Sequence, residues 1–282
     1  MKNSHFFENL ATPLVMAILN VTPDSFFDGG LLCEKKDKIS LDLVIKRVDL
    51  LVKSGANIID VGGESTRPGA KSVGLQEELN RVIPVVETIV DRFEIPVSVD
   101  TSSPSVITES ANAGALMIND VRALSRKGAI DAVASSDLAV CLMHMAGEPT
   151  NMQLDPSYNN VLDEVSDYLL ARIKLCEAGG IDRKKIFIDP GFGFGKTLEN
   201  NLELFRGLNK LSELGFPLVV GLSRKSMVGS ILNKPADGRL FGSIALAMLA
   251  IQKGAKILRV HDVEATVDVL KIFNAIEEKG SI

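Results

Sequence analysis

At 282 residues, 46% hydrophobic and 24% charged, the chain can bury one barrel-sized α/β core or two smaller ones, and it has no low-complexity tract that would signal disorder. A net charge of −5 argues against a nucleic-acid or anionic-membrane surface, since both favour a clustered basic face. Scattered Cys33, Cys141 and Cys176 read as reduced thiols with no structural zinc, and His5, His144 and His261 offer no helical metal spacing either.

The N-terminus has no basic-then-apolar leader, and the longest greasy stretch, near Leu240 to Ile251, is too short to span a bilayer. A cytoplasmic address and no membrane partner are expected. The first strand, Leu14 to Leu19, ends at Asn20 and a loop running to Gly30. A helix from about Ser40 carries Leu41, Val44, Ile45, Val48 and Leu51 on one stripe, and Gly55 stops it before the Ile58 strand. After Asp60-Val61-Gly62-Gly63 comes a second long loop, Glu64 to Ser72, then a helix through Leu75, Leu79, Val82, Val86 and Val90, and the Val97 strand. Ser103-Pro104 is expected to cap the next helix, and the fourth strand reaches Asn119-Asp120.

A short helix over 127–135 precedes the fifth strand, Leu138 to Met143, which delivers His144. An amphipathic helix from about Asn160 to Ala178 leads through Gly179-Gly180 to the sixth strand, Ile186-Phe187-Ile188-Asp189. Helices are expected over 200–214 and 245–252, on either side of a seventh strand at Leu218. The eighth strand, Lys256 to Val260, delivers His261, and Asp262 is a candidate cap for the last helix.

Eight apolar strands alternating with helices imply a parallel sheet, and eight units in this length favour a closed single-domain (β/α)8 TIM barrel over 1–282; an open doubly wound sheet is the alternative. In a barrel the C-terminal strand ends share one mouth. Asn20, Asp60, Asp100, Asn119, His144, Asp189, Lys225, Arg259 and His261 would meet there.

Ser223-Arg224-Lys225-Ser226 and Arg259 with His261 form a local cation cluster on an acidic chain, in the usual phosphate-binding place of the fold. The competing reading is a solvated basic loop and a structural salt bridge. Asn20 is a candidate seat for Mg2+, or simply a turn-former. Asp100, Asn119 and Asp189 could accept paired N–H groups from a guanidine-like ring edge; the competing reading is an ion pair with Arg122 or Lys196. Gly195-Lys196-Thr197 is not a P-loop, because the required first glycine falls at Pro190. Phe192 and Phe194 are loop plugs or the lining of an aromatic pocket.

Read as long ordered motifs, the chain resembles the dihydropteroate synthase family from about Val15 to Val263. The motifs are Ile18-Leu19-Asn20-Val21-Thr22-Pro23-Asp24-Ser25-Phe26, Asp60 through Gly69, Ser98-Val99-Asp100-Thr101, Ile118-Asn119-Asp120, Cys141 through Met145, Asp189 through Lys196, Ser223 through Ser226 and Arg259-Val260-His261-Asp262. Phe27 departs from the small polar residue usual in the family. The resemblance implies a barrel enzyme joining 4-aminobenzoate to (7,8-dihydropterin-6-yl)methyl diphosphate with Mg2+, usually a homodimer and a sulfonamide target. It assigns Asp100, Asn119, Asp189 and Lys225 to the pterin, and Asn20, Thr66, Arg67, Arg259 and His261 to the diphosphate or its metal. Phe26, Pro68, Phe194 and Ser226 would line the aminobenzoate site, and Asp100, Lys225, Arg259 and His261 would carry the catalysis.

The chemistry suits these residue types. An electron-rich dihydropterin stabilises a methylene cation, so the C–O bond can break before the amine arrives, and no strong general base is needed. The loops at 20–30 and 64–72 are expected to close over the diphosphate and exclude water. Two rivals are a pterin-binding methyltransferase passing a folate methyl group to a corrinoid and a pterin-binding paralogue without turnover. The first needs no diphosphate cradle.

Overall fold

The computed structural model of the protein describes residues 6–7, 10–22, 33–35, 38–66, 69–70 and 73–277. Phe26, Phe27, Arg67 and Pro68 lie outside the described residues, as does most of the first loop. Eight parallel strands form the barrel: β1 (Leu14–Asn20), β2 (Ile58–Gly62), β3 (Val97–Asp100), β4 (Met117–Asp120), β5 (Ala139–Met143), β6 (Ile186–Asp189), β7 (Leu218–Val220) and β8 (Ala255–Val260). β1 pairs with both β2 and β8, which closes the sheet and removes the open-sheet alternative. A short antiparallel ribbon, Cys33–Lys35 with Lys38–Ile39, follows β1.

Side-chain alternation explains why the strands are apolar on both faces. Outward residues such as Val15, Ala17, Ile59, Val61, Val99, Ile118 and Ile188 pack in the large core beneath the helices. Inward residues Met16, Ile58, Met117, Cys141, Phe187, Val219 and Ile257 fill the barrel as a separate cluster, with Phe7 packed edge-on to Phe187 at a centroid distance of 5.3 Å. Two residues beyond Ile58, Met117, Phe187 and Ile257 the inner faces turn polar, at Asp60, Asn119, Asp189 and Arg259, and Asp100 joins them at the end of β3. The strand period therefore puts an apolar floor directly under a charged layer.

The helices are α1 (Leu41–Lys53), α2 (Leu75–Arg92), α3 (Pro104–Asn112), α4 (Ala129–Ala134), α5 (Val161–Ala178), α6 (Leu198–Arg206), α7 (Leu208–Ser212), α8 (Ser226–Leu232), α9 (Leu240–Gln252) and α10 (Val263–Glu277). The single helix expected over 200–214 is two, α6 and α7, separated at Gly207, where a Cβ would lie 2.5 Å from Leu162 of α5. It also starts earlier, because Thr197 and Asn200 make a reciprocal capping box. An additional helix, α8, follows β7, and α9 begins at Leu240, not Ala245. Ser103 precedes Pro104 as expected but makes no side-chain cap bond. Asp262 uses its carboxylate on Arg224 and leaves only its backbone carbonyl to Thr266.

Candidate active site

At the C-terminal mouth lies a cavity of about 340 Å³, bordered by Asn20, Thr66, Asp100, Phe194, Lys225, Ser226, Arg259 and His261, with Glu64, Met152 and Ser223. Eight of the residues singled out from the sequence thus share one wall system. Asn119 and Asp189 sit beneath it, each about 5% exposed or less.

The polar floor is organised around Asp60. Arg259 Nε donates to Asp60 Oδ2 at 2.6 Å, and Arg259 Nη2 donates to Asp100 Oδ2 at 2.8 Å. Asn119 Nδ2 also reaches Asp60 Oδ2, at 3.3 Å. The sequence placed Arg259 with the cations at one end of a ligand and Asp100 with the acids at the other. The structure puts them in direct contact, because a guanidinium on an inner barrel face needs partners to offset its desolvation. Arg122 partners Glu148 at 2.8 Å, so it is not the mate of these acids.

Asp60 is the residue whose importance the sequence understated: wholly buried, it binds Arg259 and Asn119 through one oxygen while its Oδ1 has no protein partner. Asn119 Oδ1 is likewise buried and unpartnered. A buried acceptor without a donor costs about 1–3 kcal/mol, so two on adjacent side chains favour a ligand edge that supplies N–H groups. The available signal was position alone: Asp60 stands on an inner face, two residues beyond Ile58. Gly62 lets neighbouring strands crowd, since a Cβ there would be 3.2 Å from Asn20 Oδ1 and 3.7 Å from Asp100 Cβ.

Burial pushes the Asp100 carboxyl up to about 7, with Arg259 opposing and Asp60 adding to the rise. Asp189 is also raised by burial, against the pull of Lys225, and its Oδ1 accepts from Gly191 N at 2.7 Å. Burial draws Lys225 down to about 8, while Asp189 opposes the fall. For Arg259, burial lowers the pKa, but Asp60 and Asp100 outweigh it and keep the guanidinium charged.

Just after β7, the strand next to the one carrying Arg259, Lys225 donates to Phe192 O and lies 4.7 Å from the Phe194 ring centroid. His261 N and Nδ1 each lie 3.2 Å from Ser223 Oγ. Arg224, one of the expected anion-binding cations, has its Nε and Nη2 on the two Asp262 oxygens at 2.7 Å and its Nη1 on Ala236 O and Asp237 O. That arrangement braces the loop after β7. His144, expected at the mouth, is buried and turned toward Lys196 at 2.9 Å.

Compared with known proteins, residues 16–261 match the family described as pterin binding enzyme. The chain belongs to the pterin-binding enzyme family. Within it, the dihydropteroate synthase of Escherichia coli (strain K12) is 52% identical over 267 residues, covering 95% of this chain and 93% of its own. A Yersinia pestis dihydropteroate synthase solved with a sulfonamide drug complex superposes with a TM-score of 0.92 at 49% identity, covering 96% of both chains. The Xanthomonas albilineans dihydropteroate synthase solved with 4-aminobenzoic acid gives 0.87 at 46% identity, covering 96% of this chain and 95% of that one. These pterin-binding relatives span the whole barrel, so all of the strand ends that build the cavity fall inside the match.

Proposed function

We infer that the chain has dihydropteroate synthase activity, condensing (7,8-dihydropterin-6-yl)methyl diphosphate with 4-aminobenzoate to give 7,8-dihydropteroate and pyrophosphate in folate biosynthesis. One observation carries the reading: buried acceptors of Asp60 and Asn119, which call for N–H donors, lie beside a cavity whose rim carries Asn20, Ser223, Lys225 and His261. In this assignment Asp100, Asn119, Asp189 and Lys225 hold the pterin. Thr66, Arg67, Arg259 and His261 meet the diphosphate, and Phe26, Pro68, Phe194 and Ser226 border the aminobenzoate.

The reaction follows a dissociative course. Asp60, Asp100 and Asp189 place negative charge beneath the ring as positive charge develops, which lowers the barrier without a strong base. The walls exclude water until the amine attacks the methylene carbon.

Mg2+ suits the donor set. Asn20 and Glu64 supply hard oxygens on the cavity wall, and no group of three or more His, Cys, Asp or Glu among the described residues forms a protein cage. A Mg2+ carried on the diphosphate needs only one or two protein oxygens; Asn20 would hold it, and bound there it neutralises leaving-group charge.

A homodimer is supported by apolar side chains left outside on α8 to α10. Phe241 is 78% exposed, with Ile231, Leu249, Ile272 and Ile276 also exposed, and α9 packs against α10. The cytoplasmic address is consistent with Cys141 and Cys176 being free; no helix among the described residues is long and apolar enough to cross a membrane. Pyrophosphate release on mixing the two substrates with Mg2+ tests the activity, and its absence would favour a methyltransferase or a binding paralogue.

A further inference from the structure

The segment between β6 and α6 turns through three left-handed glycines, with φ of +68° at Gly191, +79° at Gly193 and +61° at Gly195. It has no sheet or helix ladder to satisfy its backbone, yet every carbonyl from Gly191 to Lys196 receives a side-chain donor. Lys196 Nζ serves Gly191 O at 2.9 Å and Phe194 O at 3.1 Å, and Lys225 serves Phe192 O. Gln153 Nε2 serves Gly193 O and Tyr158 Oη serves Gly195 O, each at 2.7 Å, and Asn201 Nδ2 serves Lys196 O at 3.3 Å.

Lys196 is the buried cation of this girdle, 3% exposed, and it is absent from the cavity wall. An ammonium has three hydrogens, and three acceptors surround this one: the two loop carbonyls and His144 Nδ1 at 2.9 Å. The third is an acceptor only when His144 carries its proton on Nε2. The two carbonyls Lys196 bridges open and close the turn that aims Phe194, which is also closed by Phe194 N donating to Gly191 O at 3.1 Å.

We propose that Lys196 is a positioning residue for the aminobenzoate side of the site, clamping the Gly191–Phe194 turn so that the Phe194 ring stands against Lys225. It rests on the assignment of Phe194 to that substrate. The side chain touches no reacting atom; it fixes the wall against which the amine-bearing ring must lie, a contribution that belongs to substrate placement.

Steady-state kinetics with both substrates varied separate this from a purely structural role. Lys196→Met, which keeps shape and removes the donors, is expected to raise the KM for 4-aminobenzoate about tenfold, the loss of one to two hydrogen bonds, with the KM for the pterin diphosphate held within about twofold. Tyr158→Phe and Gln153→Leu loosen the same turn from its outer edge and should raise the same KM about two- to threefold. These two keep the test open if Lys196→Met does not fold. A loss confined to kcat, or equal rises in both KM values, would overturn the proposal. Phe194→Ala tells the two levels apart: no change in aminobenzoate KM there removes the Phe194 assignment along with the proposal, whereas a rise there with none in the three turn variants removes the proposal alone.

Discussion

Replacing Arg259 by methionine tests the polar floor most directly. The change deletes two charge-assisted hydrogen bonds, to Asp60 at 2.6 Å and to Asp100 at 2.8 Å, from carboxylates whose side chains are 0% and 8% exposed. Each bond contributes about 1.5–3 kcal/mol, and breaking a buried pair from one side typically costs about 3–5 kcal/mol. A loss near 4 kcal/mol is therefore expected at about pH 8.5. The sign of the pH dependence follows from Asp100. Its folded pKa, about 7, lies above the ordinary value of 3.8, so its contribution to stability is full below that ordinary value and fades as pH rises through about 7. Arg259 opposes the rise. Without it the carboxyl keeps its proton to higher pH, and the variant is penalised least in mild acid. Urea unfolding of both proteins at about pH 5.5 and about pH 8.5 should show a deficit at the lower pH roughly half that at the higher. A deficit under about 1 kcal/mol at both, or one independent of pH, would refute the network as described.

Other perturbations have equally definite outcomes. Gly191→Ala places a Cβ 1.8 Å from His144 O at φ +68°, whereas Gly193→Ala meets only Lys225 Cδ at 3.4 Å. Denaturant titrations should show about 4 kcal/mol or more lost at the first and about 1–2 kcal/mol at the second. Burial, aided by Lys196, pushes His144 down to about 3 from 6.5, so its contribution is present above 6.5 and is lost as pH falls toward 3. Its imidazole should take up no proton between about pH 8 and pH 5, read as the absence of the imidazolium chemical shift by NMR. His144→Gln should soften the acid-side fall in melting temperature. The Cys141 and Cys176 thiols are both raised by burial, Cys176 to about 11. Mass spectrometry after brief iodoacetamide treatment should find neither alkylated in the folded protein and both alkylated in denaturant.

Much of this arrangement was legible because strand ends are local. A run such as Ile186-Phe187-Ile188-Asp189 shows its own period, its end and the acid it delivers, and eight of them define the mouth. Pairings across the barrel were not legible. Arg259 and Asp60 are 199 residues apart in the chain, and Arg259 and Asp100 are 159 apart. Nothing in the local pattern says that the cation of the last strand will lie on the acid of the second. Half of the girdle around the Gly191 turn escaped notice for the same reason, since beside the local Lys196 and Asn201 its donors are Gln153, Tyr158 and Lys225. Asp262 misled by proximity: beside a helix start it suggested a cap, and only the packed loop after β7 shows that Arg224 claims it.

The layer of Met16, Ile58, Met117, Cys141, Phe187, Val219 and Ile257 beneath the carboxylates has a use for protein engineering. Because Ile58, Met117, Phe187 and Ile257 stand two residues below Asp60, Asn119, Asp189 and Arg259 on the same strand faces, trimming or enlarging one changes how deep the bowl is while leaving every charged atom on its original backbone. Thioethers at Met16 and Met117 are compliant enough to absorb such changes. The chemistry of the enclosure and its capacity can therefore be altered one at a time.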